Sequence, residues 1–404
     1  MLGQLLKNDF VKNTSTLFSG LLVVQLLNFL FALILPRYCL PSDFAVLGIF
    51  TSLVLILNEL VNAKLDMAVM LPEDTVEASS IVHAAYTGAG IFSIFLIIPA
   101  GLLAWFYQTA YLLIPLTVWL SGIQQPIVVL LNKTGQYKRI STLRIIQVAT
   151  TIPATLLLLI VQVPHALIIG FCMGIAAAAL FSLRYFQPRF NIALLRDKLR
   201  EYGQFPRYGT WSALINNLSR NSIPLLLAQF FSSGTVGIYS YATRLLGAPS
   251  GLYTGAVGQV YWQAASKEDN RELRKTTLRL MAWTLLLACI PAIAIAVYGQ
   301  EIFAVLFGNV WREAGKVAQY LILWYVAGLF ITPVSVVLDV RNKLSFELKY
   351  NIVLFIGRAA AIVAGGLTGN FYISLLLFVA FSMLMHIYLL YFIYFKVLQD
   401  EYPA

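Results

Sequence analysis

Charge is scarce in this sequence. Only 11% of its 404 residues are Asp, Glu, Lys or Arg, against about 25% in an ordinary soluble domain, which excludes a surface that faces mainly water. Acidic groups within apolar runs are scarcer still, Glu59 being the one clearly inside a predicted span. Three cysteines (Cys39, Cys172, Cys289) show no paired spacing, which excludes a disulfide framework or a cysteine metal site and leaves small apolar packing residues. His83, His165 and His386 are dispersed and lack metal-binding helical spacing. The glycine-rich stretch 365–369 is not followed by the Lys-Ser/Thr of a phosphate loop, so no ATP-hydrolysing site is expected.

What is abundant is apolar. Hydrophobic residues make up 59% of the chain and mean hydropathy is +0.78, in runs near the roughly 20 residues that cross about 30 Å of hydrocarbon. The runs predict an all-α membrane protein with about twelve transmembrane helices. Their limits are 14–36, 44–62, 80–106, 110–131, 143–162 and 165–183, then 211–231, 235–262, 277–298, 314–338, 350–368 and 372–395. The first run is too long for a cleavable signal and lacks a small-residue cleavage site. A shorter apolar stretch, 302–311, is too brief to span and reads as an outer interfacial helix.

The net charge of +10 does not point to nucleic acid, because the basic residues form no contiguous face. They fall between apolar runs and alternate with them. With the N-terminus inside, 22 of the 28 Lys and Arg lie in cytoplasmic segments and three (Arg37, Arg312, Lys316) lie outside, which is the positive-inside pattern. Both termini are therefore expected in the cytoplasm. The outer loops, such as 232–234 and 369–370, are too short to carry an enzyme site.

The longest hydrophilic segment suggests three parts: an N-terminal six-helix bundle (1–183), a cytoplasmic linker (184–210) and a C-terminal six-helix bundle (211–404). The phrases Leu47-Gly48-Ile49-Phe50 and Val236-Gly237-Ile238-Tyr239 occupy equivalent places in the two halves, a hint of the internal repeats common in transporters.

Two stretches carry a family resemblance. One is Pro41-Ser42-Asp43-Phe44-Ala45, followed a span later by Lys64-Leu65-Asp66-Met67-Ala68-Val69-Met70-Leu71-Pro72. The other begins near Tyr202 and runs through Phe230-Phe231-Ser232-Ser233-Gly234-Thr235-Val236-Gly237-Ile238-Tyr239 to Arg244-Leu245-Leu246-Gly247-Ala248-Pro249. They resemble passages of the Wzx-type O-antigen flippases, of the multidrug/oligosaccharidyl-lipid/polysaccharide exporter superfamily. Ala45, Lys64 and Asp66 stand where that family usually has Gly, Arg and Glu. The resemblance implies a V-shaped pair of six-helix bundles around a central cavity in a bacterial inner membrane. It implies an undecaprenyl-pyrophosphate-linked oligosaccharide as cargo, carried from the cytoplasmic to the periplasmic leaflet by alternating access. Membrane lipids, and polysaccharide polymerase and chain-length proteins, are the candidate partners. No bound cofactor is expected, and coupling to protons or sodium is implied by resemblance alone.

Buried charge selects the candidate residues. Arg220 and Arg358 fall near the middle of predicted spans and Arg244 in the outer part of another. A midplane Arg costs about 2.5–3.5 kcal/mol on insertion scales and needs a partner or a wet cavity. Guanidinium groups stay charged and bind phosphate oxygens bidentately, so the three are candidate ligands of an anionic headgroup. Buried ion pairs or bonds to backbone carbonyls are the alternative. Asn216, Asn217, Ser219, Asn221 and Ser222 make the surroundings of Arg220 unusually polar, and Asn217 and Asn221 join the substrate candidates. Glu59 is either a proton or cation site or the partner of Lys64 or an arginine. Lys64 with Asp66 forms either a local pair or a gate. Arg37 reads as snorkelling to headgroups and stands as a lesser gating candidate. Pro99, Pro126, Pro153, Pro224, Pro249, Pro291 and Pro333 interrupt spans, and 247–249 is the best hinge candidate.

Two other functions remain open: a cation-coupled antiporter of the same superfamily fold, which calls for acidic rather than basic cavity residues, and a polytopic membrane enzyme of polysaccharide assembly.

Overall fold

The computed structural model describes residues 22–341 and 343–399, so the first predicted span begins outside the described residues. All regular structure among them is helical. Eight helices are long and apolar enough to cross a membrane, and Leu22–Arg37 and Ala166–Ser182 are shorter apolar helices. The chain divides into two compact units, Met1–Phe31 with Val46–Asn221, and Ala32–Ala45 with Ser222–Ala404.

The described residues begin with α1 (Leu22–Arg37) and α2 (Pro41–Val61), whose residue 46 marks the return to the first unit. That unit continues through α3 (Leu65–Ala68), α4 (Thr75–Phe95), α5 (Ile97–Phe106), α6 (Ile114–Lys133), α7 (Tyr137–Ile160), α8 (Ala166–Ser182), α9 (Ile192–Glu201) and α10 (Thr210–Asn221). The predicted span 80–106 is two helices because Pro99 has no N–H to give the Phe95 carbonyl, and the break falls at Leu96. Close approach of α7 and α8 depends on small residues: a Cβ at Gly170 would overlap Thr155, and one at Gly174 would overlap Thr151. Near its C-terminal end α8 packs through Ile175 and Ala179 on Leu120 of α6. From there α6 runs on to Lys133, about 20 Å at 1.5 Å per residue. Leu65, Ala68, Ile81, Ile127 and Leu143 form the core at that far end.

The second unit contains α11 (Ile223–Leu227), α12 (Ser233–Lys267), α13 (Asn270–Phe307), α14 (Arg312–Ser335), α15 (Val337–Val340), α16 (Leu344–Leu367) and α17 (Phe371–Phe392). Helices α12 and α13 extend beyond their apolar runs, so Lys267, Arg271, Arg274, Lys275 and Arg279 ride on helix rather than loop. The stretch 302–311 is not a separate helix throughout. α13 breaks at Tyr298 (φ −114°, ψ 18°), resumes to Phe307, stops at Gly308 with φ +97°, and a 3-10 turn covers Asn309–Trp311. α12 stays helical through Pro249.

Residues 41–45 of the first resembling passage pack on the second passage within this unit. Asp43 accepts a hydrogen bond from the Leu40 N–H at 2.8 Å, securing the chain just before α2. Phe44, 1% exposed, lies 4.9 Å from the Tyr241 ring and edge-on to Trp311 at 5.2 Å. The Tyr241 hydroxyl donates to the Ala32 carbonyl (3.2 Å) and the Trp311 indole to the Pro36 carbonyl (3.0 Å). Gly237 of α12 lies so close to the Pro41 carbonyl that a Cβ would overlap it. Backbone cannot yield as a side-chain tip can, so Gly237→Ala is expected to cost at least the 1–3 kcal/mol, roughly, of an overpacked core. It should appear as lower protein abundance and melting temperature, whereas Gly255→Ala, with open space around it, should leave both near wild type.

Candidate substrate and coupling site

In the first unit a polar cluster joins α2, the turn after it, and α10. Ala63 and Lys64 both adopt left-handed backbone (φ 46° and 57°), a conformation that costs a non-glycine residue of order 1 kcal/mol. This turn brings the Lys64 ammonium back to Glu59 at 2.5 Å, with both side chains 20% exposed. The other Glu59 oxygen accepts from Asn217 Nδ2 at 2.7 Å, and Asn221 donates to Asn217 Oδ1 one helical turn on. The carboxylate therefore ties the Lys64 turn to the helix that bears Arg220. Beside it, Asn62 donates to the Gly122 carbonyl (3.3 Å), while the Oδ1 atoms of Asn58 and Asn62 are buried without a partner among the described residues.

Asp66 does not take Lys64 within ion-pair distance; Lys64 goes to Glu59. Burial pushes the Asp66 carboxyl above its ordinary range, and the nearby Lys64 charge opposes that shift. The passage after Asp66 is held by a residue that sequence reasoning missed. Lys133, at the end of α6, donates to the carbonyls of Val69 (3.1 Å), Met70 (3.4 Å) and Pro72. Its position in a basic segment between apolar runs was visible in the sequence; its three acceptors, more than 60 residues away, were not.

Arg220 is exposed and makes no ion pair among the described residues. α10 ends one residue later because Pro224 has no N–H for the Arg220 carbonyl, and α11 begins after Ser222. The amide-rich face and the helix break thus meet at this guanidinium.

The remaining arginines belong to the second unit. Arg244, on α12, is half-buried and likewise has no ion pair among the described residues. Arg358, on α16, is 5% exposed: its Nε donates to Ser382 Oγ at 2.9 Å, and its guanidinium lies 5.4 Å from the Trp324 ring centre and 5.3 Å from that of Phe378. Arg37 is exposed at the end of α1, apart from the buried neighbours that anchor its segment. Among the described residues no group of three or more His, Cys, Asp or Glu could hold a metal ion.

Apolar helices of spanning length, with arginines set among them, define a multi-pass membrane protein. The profile of the family described as polysaccharide biosynthesis protein matches residues 34–316, and the chain belongs to that family. It is 22% identical over 210 residues to the lipopolysaccharide biosynthesis protein WzxC of Escherichia coli (strain K12), an alignment covering 49% of this chain and 41% of that protein. It is 20% identical over 368 residues to an uncharacterized membrane protein in the cps region of Klebsiella pneumoniae, covering 87% of this chain and 75% of that one. The chain thus spans less than half the length of the first relative. Its fold is similar to that of the lipid II flippase MurJ in an inward closed conformation, with a TM-score of 0.76 at 13% identity, covering 93% of this chain and 87% of that one.

Proposed function

We propose that this protein is a flippase that moves a lipid-linked oligosaccharide, joined to undecaprenyl through pyrophosphate, from the cytoplasmic to the periplasmic leaflet of a bacterial inner membrane, both termini being cytoplasmic. Arg220 in the first unit and Arg244 in the second each serve as a cation for the pyrophosphate or anionic sugar at some stage of an alternating-access cycle, and Asn217 and Asn221 bind sugar hydroxyls or hold Arg220 in position. Arg358 contributes positive potential from within its own unit. Glu59 and Lys64 form the coupling or gating pair, with a proton or sodium ion as the coupling species.

The observation that carries this reading is the pair of guanidinium groups, Arg220 and Arg244, set in a chain of low charge without a carboxylate partner among the described residues. A fixed cation in a low-dielectric region attracts an anion strongly, and a translocating pyrophosphate is an anion that must traverse that region. Membership of the polysaccharide biosynthesis family supports the cargo class.

The test is the sidedness of the lipid-linked sugar in cells depleted of the protein. Repeat units should accumulate where an impermeant periplasmic lectin cannot reach them, and re-expression should restore access within one generation. Undiminished lectin access in depleted cells would refute the reading.

A further inference from the structure

A second site lies in the first unit, away from the polar cluster around Glu59. A half-open cavity of about 260 Å³ is walled by Tyr86 of α4, Trp119, Leu120 and Ile123 of α6, and Ala179 and Leu183 at the end of α8, with Gln187 and Pro188 at its rim. Its walls are apolar, but two donors, the Tyr86 hydroxyl and the Trp119 indole N–H, have no partner among the described residues. Beside the cavity, past the end of α8, the apolar run gives way to a basic one. Arg184 and Arg189 flank the rim residues; both are exposed, and neither makes an ion pair among the described residues. Arg184 is stacked on Phe181 at 4.9 Å. The Arg189 backbone N–H donates to His83 Nδ1 at 2.7 Å and that of Asn191 to Thr87 Oγ1 at 2.9 Å, so the basic segment is fastened to α4 beside the cavity.

We infer that this cavity holds part of one acyl chain of an anionic glycerophospholipid, with the phosphate at Arg184 and Arg189. Three features point to that occupant. Trp and Tyr beside the apolar-to-basic transition mark an interfacial level in the membrane. Small-molecule sites run from about 300 to 1,000 Å³, so this volume suits part of one chain and is too small for an oligosaccharide. The rim charge is positive and unopposed, which selects an anionic over a zwitterionic headgroup. The bound lipid would wedge between the end of α8 and α4 and fix the segment that leads to α9. The inference is independent of the flippase reading, since it requires neither cargo nor transport.

The experiment is lipid retention by the full-length protein in mild detergent, read by native mass spectrometry with phosphatidylglycerol, phosphatidylcholine and undecaprenyl phosphate as separate probes. One phosphatidylglycerol should remain per chain, with a preference over phosphatidylcholine of roughly 30-fold, the effect of two interfacial arginines. The exposed-residue double variant Arg184→Gln/Arg189→Gln should fold normally and lose that preference. Leu183→Trp, which puts an indole in place of a wall residue and takes up cavity volume, should lose both lipids. Should Leu183→Trp not fold, the charge variant decides alone. Equal retention of the two phospholipids, a preference unchanged in the double variant, or displacement of phosphatidylglycerol by undecaprenyl phosphate at one equivalent would each overturn the inference.

Discussion

Arg220→Gln and Arg244→Gln should each reduce surface polysaccharide at least ten-fold while leaving the amount of protein in the membrane unchanged. Neither guanidinium has an ion pair to lose among the described residues, so folding gives up little. A pyrophosphate, by contrast, loses a charge-assisted bidentate contact worth about 1.5–3 kcal/mol, or roughly 10–150-fold in affinity. Arg358→Gln should behave differently. Its guanidinium is enclosed by Ser382, Trp324 and Phe378, so both abundance and polysaccharide should fall, and Arg358→Lys should rescue poorly because a planar, stacked guanidinium has no equivalent in an ammonium. Immunoblots of membranes beside polysaccharide gels separate the two behaviours. Abundance falling in step with polysaccharide for Arg220→Gln and Arg244→Gln would assign these residues to folding rather than cargo.

The second large effect concerns Glu59. Glu59→Gln keeps the length of the side chain but leaves the Lys64 ammonium, one-fifth exposed, without its anion. The lysine is already held in left-handed backbone, so loss of the pair should also release the turn. A destabilisation of about 1–3 kcal/mol is expected, below the 3–5 of a fully buried pair. Lys64→Met should cost a similar amount, and the double variant Glu59→Gln/Lys64→Met should recover much of it, because no unpaired charge then remains. If the pair also serves the transport cycle, the double variant regains abundance but not polysaccharide. Recovery of both would confine Glu59 to a structural role, and a double variant no more stable than either single variant would rule out the pairing itself.

Much of the helical layout was legible because hydropathy reports local composition. The run 372–395 corresponds to α17 at Phe371–Phe392, and 350–368 to the greater part of α16 at Leu344–Leu367. Proline chemistry was legible as interruption but not as outcome. Pro99 and Pro224 coincide with breaks, while Pro126, Pro153 and Pro249 sit within continuous helix, because the outcome depends on what else satisfies the freed carbonyl. Apolar runs also understate α12 and α13, whose polar ends continue as helix after hydrophobicity stops.

The site was legible residue by residue rather than as pairs. Low charge and position within predicted spans were enough to single out Glu59, Arg220, Arg244 and Arg358. Glu59 with Asn217, 158 residues apart, and Gly237 against Pro41 are long-range encounters that no local pattern encodes. The second of these joins the 41–45 segment to the second family passage: one supplies a carbonyl and a phenyl ring, and the other supplies the glycine and tyrosine that accommodate them.

Equilibrium binding to purified protein in nanodiscs tests most directly whether uncompensated guanidinium groups recognise the pyrophosphate of the cargo. Polyprenyl pyrophosphate oligosaccharide should bind wild type at least ten-fold more tightly than the same oligosaccharide on a neutral polyprenyl carrier, and Arg220→Gln/Arg244→Gln should abolish that difference. Equal affinity for the charged and neutral lipids in wild type, or a preference that survives in the double variant, would contradict that recognition.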